Sequence, residues 1–465
     1  MTQTVELPLW FFVLIVLFAA VTFASHFLFP SVRWFFRRRL EKAVAQLNQR
    51  LQRPIQPFKL ARRHDMIQRL IYDPQVGRAV QEHARETGMP EAVAFEQARR
   101  YAREIVPSFS AFAYFSFAIR AARLLSNAFY NVRLSYEDRQ ALLEIDPDST
   151  VIFVMNHRSN MDYVLVTYLA AEQSALSYAV GEWARVWPLS RLIRAMGAYF
   201  IRRKSGSDLY RQVLSCYVRH ATEAGVTQAM FPEGGLSLNG ALSRPKLGLL
   251  KYIIDGVSLD GRDVVFIPVA INYDRVLEDT ILTAAASRNE RRFRARIGVV
   301  TAWLAKQVWR RLLRRYRRFG MAAVRYGRPI SLHDFSAGRD GDLMMPLARE
   351  LMSRIGEVVP VLPTPLACWL IRENGTMSER DLTEQVTAVM EKAGTGAEPG
   401  SDAVPFAINQ LVERRILLRT GEDLSASGER RDLMEFYARS VGHLIGDAEP
   451  EHAADAKDPS ATAGS

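Results

Sequence analysis

The stretch VIFVMNHRSNMDY, residues 151–163, decides how the chain reads. An apolar run ends in Asn156 and His157, and Ser159 followed by Asp162 resembles the opening of a helix. A strand that passes through a polar loop into a helix is a βα unit. Open α/β sheets bind their ligands beyond the carboxyl ends of such strands, which is where this reading puts His157. Two accounts of the polar run fit its spacing. In one, His157 is a general base, and Asp162 folds back to fix its tautomer and stabilise the imidazolium. In the other, Ser159 and Asp162 only cap the helix and the histidine is incidental.

Outward from this point the same rhythm repeats. AYFI (198–201), TQAMF (227–231), VVFIPVAI (264–271) and AAVRY (322–326) are apolar runs bounded by turn residues and separated by helical patterns. Such runs predict strands buried on both sides, hence an α/β fold with a mostly parallel sheet and helices on both faces. AVQEHARETG and EQARRYAREI give residues 39–140 a helical pattern, and SFSAFAYFSFAIRAARLLSNAFY reads either as an interfacial helix or as a core helix. LMMPLARELMSRIGEVVPVLPTPLACWLI and TEQVTAVMEKAG make the region after 340 helical again, with AGTGAEPGSD as a linker. The expected organisation is an anchor and basic flank (1–38), a helical N-terminal region (39–140), an α/β domain (141–335), a helical C-terminal region (336–446) and a disordered tail (447–465).

Composition narrows the partners. The chain has 465 residues, 48% of them hydrophobic, and a net charge of +11, which favours anionic partners without choosing among nucleic acid, lipid and phosphorylated substrates. Two cysteines exclude a disulfide framework. Eight histidines, with none at ligand spacing around His157 and Asp162, disfavour a metal-dependent hydrolase. Leu7–Phe29 carries no formal charge and would extend roughly 34 Å as a helix, enough to span a bilayer core. Arg33, Arg37, Arg38, Arg39 and Lys42 follow it, so a single-pass anchor in the inner membrane would leave the catalytic domain in the cytoplasm. Between 291 and 319, arginines flank an apolar strip, the pattern of a membrane-surface helix or of a solvated one. No nucleic-acid motif accompanies it.

Three further stretches join the first. GAYFIRR (197–203) ends a run in the cations Arg202 and Arg203. FPEGGLSLNG (231–240) places Glu233, two glycines and Ser237 after another, and IPVAINYDRV (267–276) is a proline-broken run with Tyr273 and Asp274 at its exit. Their order, H-x-x-x-x-D, G-x-x-F-I-R-R, F-P-E-G-G-x-S and I-P-V-x-x-x-Y-D, resembles the four blocks of the glycerolipid acyltransferases. NHRSNMDY, AAVRYGRPISL and VVPVLPTPLACWLI with LTEQV make the resemblance strongest to the bacterial glycerol-3-phosphate acyltransferase branch. It extends over roughly residues 100–440.

That resemblance implies transfer of a fatty acyl group from acyl-coenzyme A or acyl carrier protein to the sn-1 hydroxyl of glycerol 3-phosphate, forming lysophosphatidate, with no cofactor and no metal. It implies that His157 is the base and Asp162 its orienting acid. Arg202 and Arg203 would hold the acceptor's phosphate, Glu233, Gly234, Gly235 and Ser237 would contact the acceptor, and Pro268 would shape the acyl-donor side. One departure bears on the acceptor. Much of that branch reads E-G-G-R-S-R where this chain has Leu236 and Leu238, which leaves Arg158, Arg244 or Lys246 to compensate. Lysophosphatidate is therefore the rival acceptor, and a catalytically silent lipid-binding protein is the rival from another class. A binding module would not need both His157 and Asp162.

Overall fold

The computed structural model describes residues 8, 10–11, 13–17, 38–39, 41–169, 174–181, 189–202, 206–257, 261–288, 318–339, 341–393 and 402–446. The chain divides into two units, Met1–Pro54 and Ile55–Ser465. In the first, the described residues are helical at 10–11, 13–17, 38–39 and 41–48. No helix among the described residues is long and apolar enough to cross a membrane. Most of Leu7–Phe29, the expected anchor, lies outside the described residues, as do the basic segment up to residue 317 and the tail from 447.

The second unit is built on an eight-stranded sheet. Its strands are β1 (Asn131–Tyr136), β2 (Thr150–Met155), β3 (Ser177–Gly181), β4 (Tyr199–Ile201), β5 (Gln228–Met230), β6 (Val264–Tyr273), β7 (Met321–Tyr326) and β8 (Ile330–Ser331). They lie in the order β1-β7-β6-β2-β5-β3-β4, with β8 paired to β6. The pairs β1/β7, β6/β2, β2/β5, β5/β3 and β3/β4 are parallel, and only β6/β7 and β6/β8 are antiparallel. All five expected strands are present.

Alternation along β2 separates the two faces. Val151, Phe153 and Met155 join one apolar cluster, while Ile152 and Val154 join the other. The second face is covered by α1 (Arg63–Ile71), α2 (Pro74–Thr87), α3 (Glu91–Ile105), a long helix at Asp208–Glu223 and another at Met344–Glu357. The first face is covered by α4 (Ile119–Phe129), α5 (Met161–Leu169) and helices from the C-terminal region. Every residue of β2 and β6 is buried, as a sheet covered on both sides requires.

Two expectations need correction, and one strand is an addition. β1 lies inside 39–140, the stretch expected to be helical. It is a half-buried edge strand in which Val132, Leu134 and Tyr136 pack on the core while Arg133 and Ser135 alternate with them, so no continuous apolar run marks it. β3, Ser177–Gly181, is not among the expected strands. The C-terminal region is not wholly helical either. Helices Pro363–Asn374, Glu379–Lys392 and Ala403–Glu413 surround a three-stranded antiparallel sheet of Met377–Ser378, Leu417–Thr420 and Asp423–Ala426. Its strands bury single residues, Leu417 and Leu424 among them, and turn at Gly421.

Candidate active site

Strand β2 ends at the carboxyl edge of the sheet, and the chain must turn there without leaving polar groups unpaired. Asn156 makes the turn. Its amide nitrogen donates to Ile271 O at 3.0 Å and its oxygen accepts from Ile271 N at 2.8 Å, so a side chain continues the ladder to β6. His157 follows with its backbone held on both sides. Its N–H donates to Glu233 Oε1 at 2.8 Å, and its carbonyl accepts from Ser237 N at 2.9 Å. Its ring stacks on Phe231 with centroids 4.1 Å apart and meets the edge of Tyr163 at 5.4 Å.

Asp162, the second residue of α5, is fully buried and accepts four hydrogen bonds. Its Oδ2 takes His157 Nδ1 at 2.8 Å, Arg158 N at 2.7 Å and Ser159 N at 3.0 Å, and its Oδ1 takes the Tyr273 hydroxyl at 2.6 Å. An ionised carboxylate accepts only, so Nδ1 carries the imidazole proton and Nε2 is the nitrogen left for a substrate. Ser159 Oγ accepts from Met161 N at 3.1 Å and donates to Glu278 Oε2 at 2.7 Å. Asn160 Nδ2 donates to Glu278 Oε1 at 3.0 Å. Cap and His–Asp pair are thus one structure: Ser159 caps α5, and Asp162 satisfies the loop N–H groups while it holds the imidazole.

The FPEGGLSLNG turn lies directly against this loop. Glu233 is buried, and its carboxylate spans two backbone donors, His157 N and Ser243 N at 3.0 Å. Burial pushes its carboxyl upward, against the pull of those two hydrogen bonds. Ser237 Oγ donates to Ala241 O at 2.7 Å and accepts from Gly240 N at 3.1 Å. Gly234 has φ of +65°, and the exposed Lys246 side chain lies over its α carbon. Gly235 is half-buried in the same turn, and Arg244 is exposed nearby in sequence. Leu236 and Leu238 are half-buried against the apolar cluster that contains Met155, Met161 and Tyr273.

The remaining expected residues lie elsewhere. Arg158 is buried with its guanidinium on Gly240 O and 5.0 Å from the ring centroid of Phe436, in a helix at Arg431–Ala438. Its Nε and Nη2 find no hydrogen-bond partner among the described residues. Arg202 directly follows β4, three strands from β2, or about 14 Å at the usual strand spacing. Both arms of its guanidinium are on Glu104 of α3, at 2.9 and 2.7 Å, between the rings of Tyr101 and Tyr210. Arg203 lies outside the described residues. Pro268 sits within β6 in register with Val154, one residue before β2 ends, while β6 itself runs on to Tyr273. Its carbonyl accepts from Gly327 at 2.9 Å, in the gap between β7 and β8. The N–H it lacks faces that gap, so a proline breaks no ladder bond there.

Two residues that hold the pair were not assigned to it from sequence. Tyr273 had a readable signal, because Ile267, Val269, Ile271 and Tyr273 alternate onto one face of β6. Glu278 had none, since its link to Ser159 spans 119 residues of chain. The C-terminal region braces the same strand exit. Asp274 accepts from Met321 N at 2.7 Å and Thr364 N at 3.0 Å, Asn272 donates to Pro360 O at 2.9 Å, and Asp279 pairs with Arg414 and Tyr437.

Residues 134–272 match the family model Acyltransferase, which runs from the middle of β1 through most of β6 and includes every residue of the His–Asp loop. Residues 302–444 match a second model, the Glycerol-3-phosphate acyltransferase C-terminal region. The chain thus carries an Acyltransferase domain followed by a Glycerol-3-phosphate acyltransferase C-terminal region. Among curated relatives, glycerol-3-phosphate acyltransferase from Actinobacillus succinogenes is 28% identical over 83% of this chain and 50% of its own length. The Xylella fastidiosa (strain M23) protein of the same name is 26% identical over 88% and 50%. That of Shewanella sp. (strain ANA-3) is 30% identical over 63% and 35%. The chain therefore spans about half the length of the curated relatives it matches. A solved structure, the 1-acyl-sn-glycerophosphate (LPA) acyltransferase of Thermotoga maritima, overlaps 56% of this chain and 80% of its own, with 17% identity. Its TM-score against this chain is 0.31.

Proposed function

We propose that this chain is a membrane-bound O-acyltransferase that acylates the sn-1 hydroxyl of glycerol 3-phosphate from acyl-coenzyme A or acyl carrier protein. The observation that carries the reading is the buried His157 Nδ1–Asp162 Oδ2 bond of 2.8 Å at the carboxyl edge of a mostly parallel sheet. His157 Nε2 takes the acceptor's hydroxyl proton while the oxygen attacks the thioester carbonyl. The new C–O bond forms, the C–S bond breaks, and the imidazolium returns the proton to the leaving thiolate. A thioester is already activated, so positioning and one base suffice, and such a base contributes on the order of 10²–10⁴-fold.

In this reading Asp162 holds the imidazole, and Glu233 and Ser237 hold its backbone. Lys246, Arg244 and Arg203 supply the cations for the phosphate, with Arg202 aligned by Glu104. The uncharged Leu7–Phe29 and the basic segments support attachment to the inner membrane with the catalytic unit in the cytoplasm. A second reading, in which lysophosphatidate is the acceptor, is favoured by Leu236 and Leu238, which put apolar surface where the glycerol-3-phosphate acyltransferase branch often has arginines. Purified protein in detergent, given one acyl-coenzyme A and then glycerol 3-phosphate, lysophosphatidate or dihydroxyacetone phosphate, decides between them. Glycerol 3-phosphate as the fastest acceptor supports the first reading, lysophosphatidate supports the second, and no turnover with any acceptor or donor overturns both.

A further inference from the structure

The His–Asp pair uses Oδ2 of Asp162, and the other oxygen has its own donor. Tyr273 Oη lies 2.6 Å from Oδ1, and both residues are fully buried. The contact follows from register. β2 ends at Met155, which pairs with Val269, so β6 runs on past it and carries Tyr273 up beside the loop that follows β2. The phenol is held in place from behind: its ring packs on Tyr130 with centroids 5.2 Å apart, and the Tyr130 hydroxyl is itself committed to Arg275 O at 2.7 Å.

The other charged or titratable groups around the pair are engaged elsewhere. Glu233, from the turn after β5, is on the His157 backbone, and Glu278, from the loop after β6, is on Ser159 and Asn160. The Arg158 guanidinium points to Gly240 and Phe436, and Tyr163 meets the imidazole through its ring. Among the described residues Tyr273 is the donor to Oδ1.

We infer that Tyr273 is a positioning residue for the reaction: its hydroxyl fixes the plane of the Asp162 carboxylate and draws off part of the charge that the carboxylate offers to the His157 imidazolium. The inference rests on His157 being the base. Without the hydroxyl, the carboxylate concentrates its charge on the imidazolium, so the base is released from its proton only at higher pH.

The test is the pH dependence of kcat/KM with the full chain in detergent, an acyl-coenzyme A and the acceptor identified by the panel. In Tyr273→Phe the acid limb moves up by about one pH unit, while the acceptor KM stays near wild type. 3-Fluorotyrosine at position 273, a stronger donor of almost the same shape, moves the limb the other way and decides the matter should Tyr273→Phe not fold. An acid limb unmoved in both overturns the inference, since a hydroxyl that only fills space changes amounts of active protein and not the profile. His157→Ala separates the two levels: if it keeps its turnover, the base assignment itself fails. If it is inactive while both Tyr273 variants keep the wild-type profile, only the role of Tyr273 fails.

Discussion

Glu233 Oε1 accepts the backbone N–H of His157 at 2.8 Å, across 76 residues of chain. The residue expected to face the acceptor thus braces the peptide that carries the base, with its other oxygen on Ser243 N. A carboxylate can accept from both donors, whereas an amide must turn its NH₂ towards one of them. Glu233→Gln should lose about 1–3 kcal/mol of stability, the cost of leaving a buried donor unmet, together with a fall in kcat as His157 shifts. Chemical denaturation at pH 7 and a turnover assay check both effects. Wild-type values in each would mean that the bridge holds nothing.

Asp162→Asn isolates charge from geometry. With its oxygen towards His157 Nδ1, Arg158 N and Ser159 N, the amide turns its nitrogen to Tyr273, whose hydroxyl can accept. The fold therefore has a way to keep its hydrogen bonds, but the negative charge beside the imidazolium is gone. Turnover should fall by about 10²–10⁴-fold, the range typical of a general base, with the melting temperature close to wild type. A variant retaining more than a tenth of the activity would reduce Asp162 to a helix cap.

The apolar runs made the sheet legible because strands buried on both faces cannot afford polar residues. Half-exposed β1 and the one-residue contacts of the C-terminal strands leave no such trace. At the site, His157 and Asp162 were legible because their bond links a loop to the first turn of the helix that follows it, five residues on. Glu233 and Ser237 were legible as members of the site but not in their geometry, since backbone ties to His157 depend on β2 and β5 being neighbours. Tyr273 needed the β2/β6 register, and Glu278 needed the whole fold. Arg202 was legible as a cation at a strand end, but nothing local announced Glu104 as its partner, 98 residues away.

Asp274 gives stability a pH dependence. Burial pushes its carboxyl up to about 6 from 3.8, against the backbone hydrogen bonds of Met321 and Thr364. The folded state then holds a proton that the unfolded chain has released, so this contribution is complete below about pH 3.8 and is lost as pH rises through about 6. A difference of roughly two units corresponds to about 3 kcal/mol. Asp274→Asn removes the titration, so its stability relative to wild type should improve by about that amount between pH 4 and pH 7, whatever its absolute level. Denaturation midpoints of both proteins across that range provide the check, and parallel curves would count against a buried, proton-holding Asp274.

Leu236 is the residue on which acceptor choice should turn. The neighbouring Ser237 N–H is bonded to the His157 carbonyl, so a side chain at 236 springs from the turn that flanks the base. Leucine here is half-buried on the apolar cluster, and arginine keeps its aliphatic stem against that surface while sending the guanidinium to solvent. The substitution should therefore cost little more than about 1 kcal/mol of packing, while adding a cation for the acceptor's phosphate. Leu236→Arg should lower the KM for glycerol 3-phosphate by about tenfold, as one charge-assisted hydrogen bond of about 1.5 kcal/mol would. The KM for lysophosphatidate should not fall in step, because its lipid tail loses the apolar contact. Parallel changes for both acceptors, or none, would show that the phosphate is held away from this turn and that Leu236 serves the core alone.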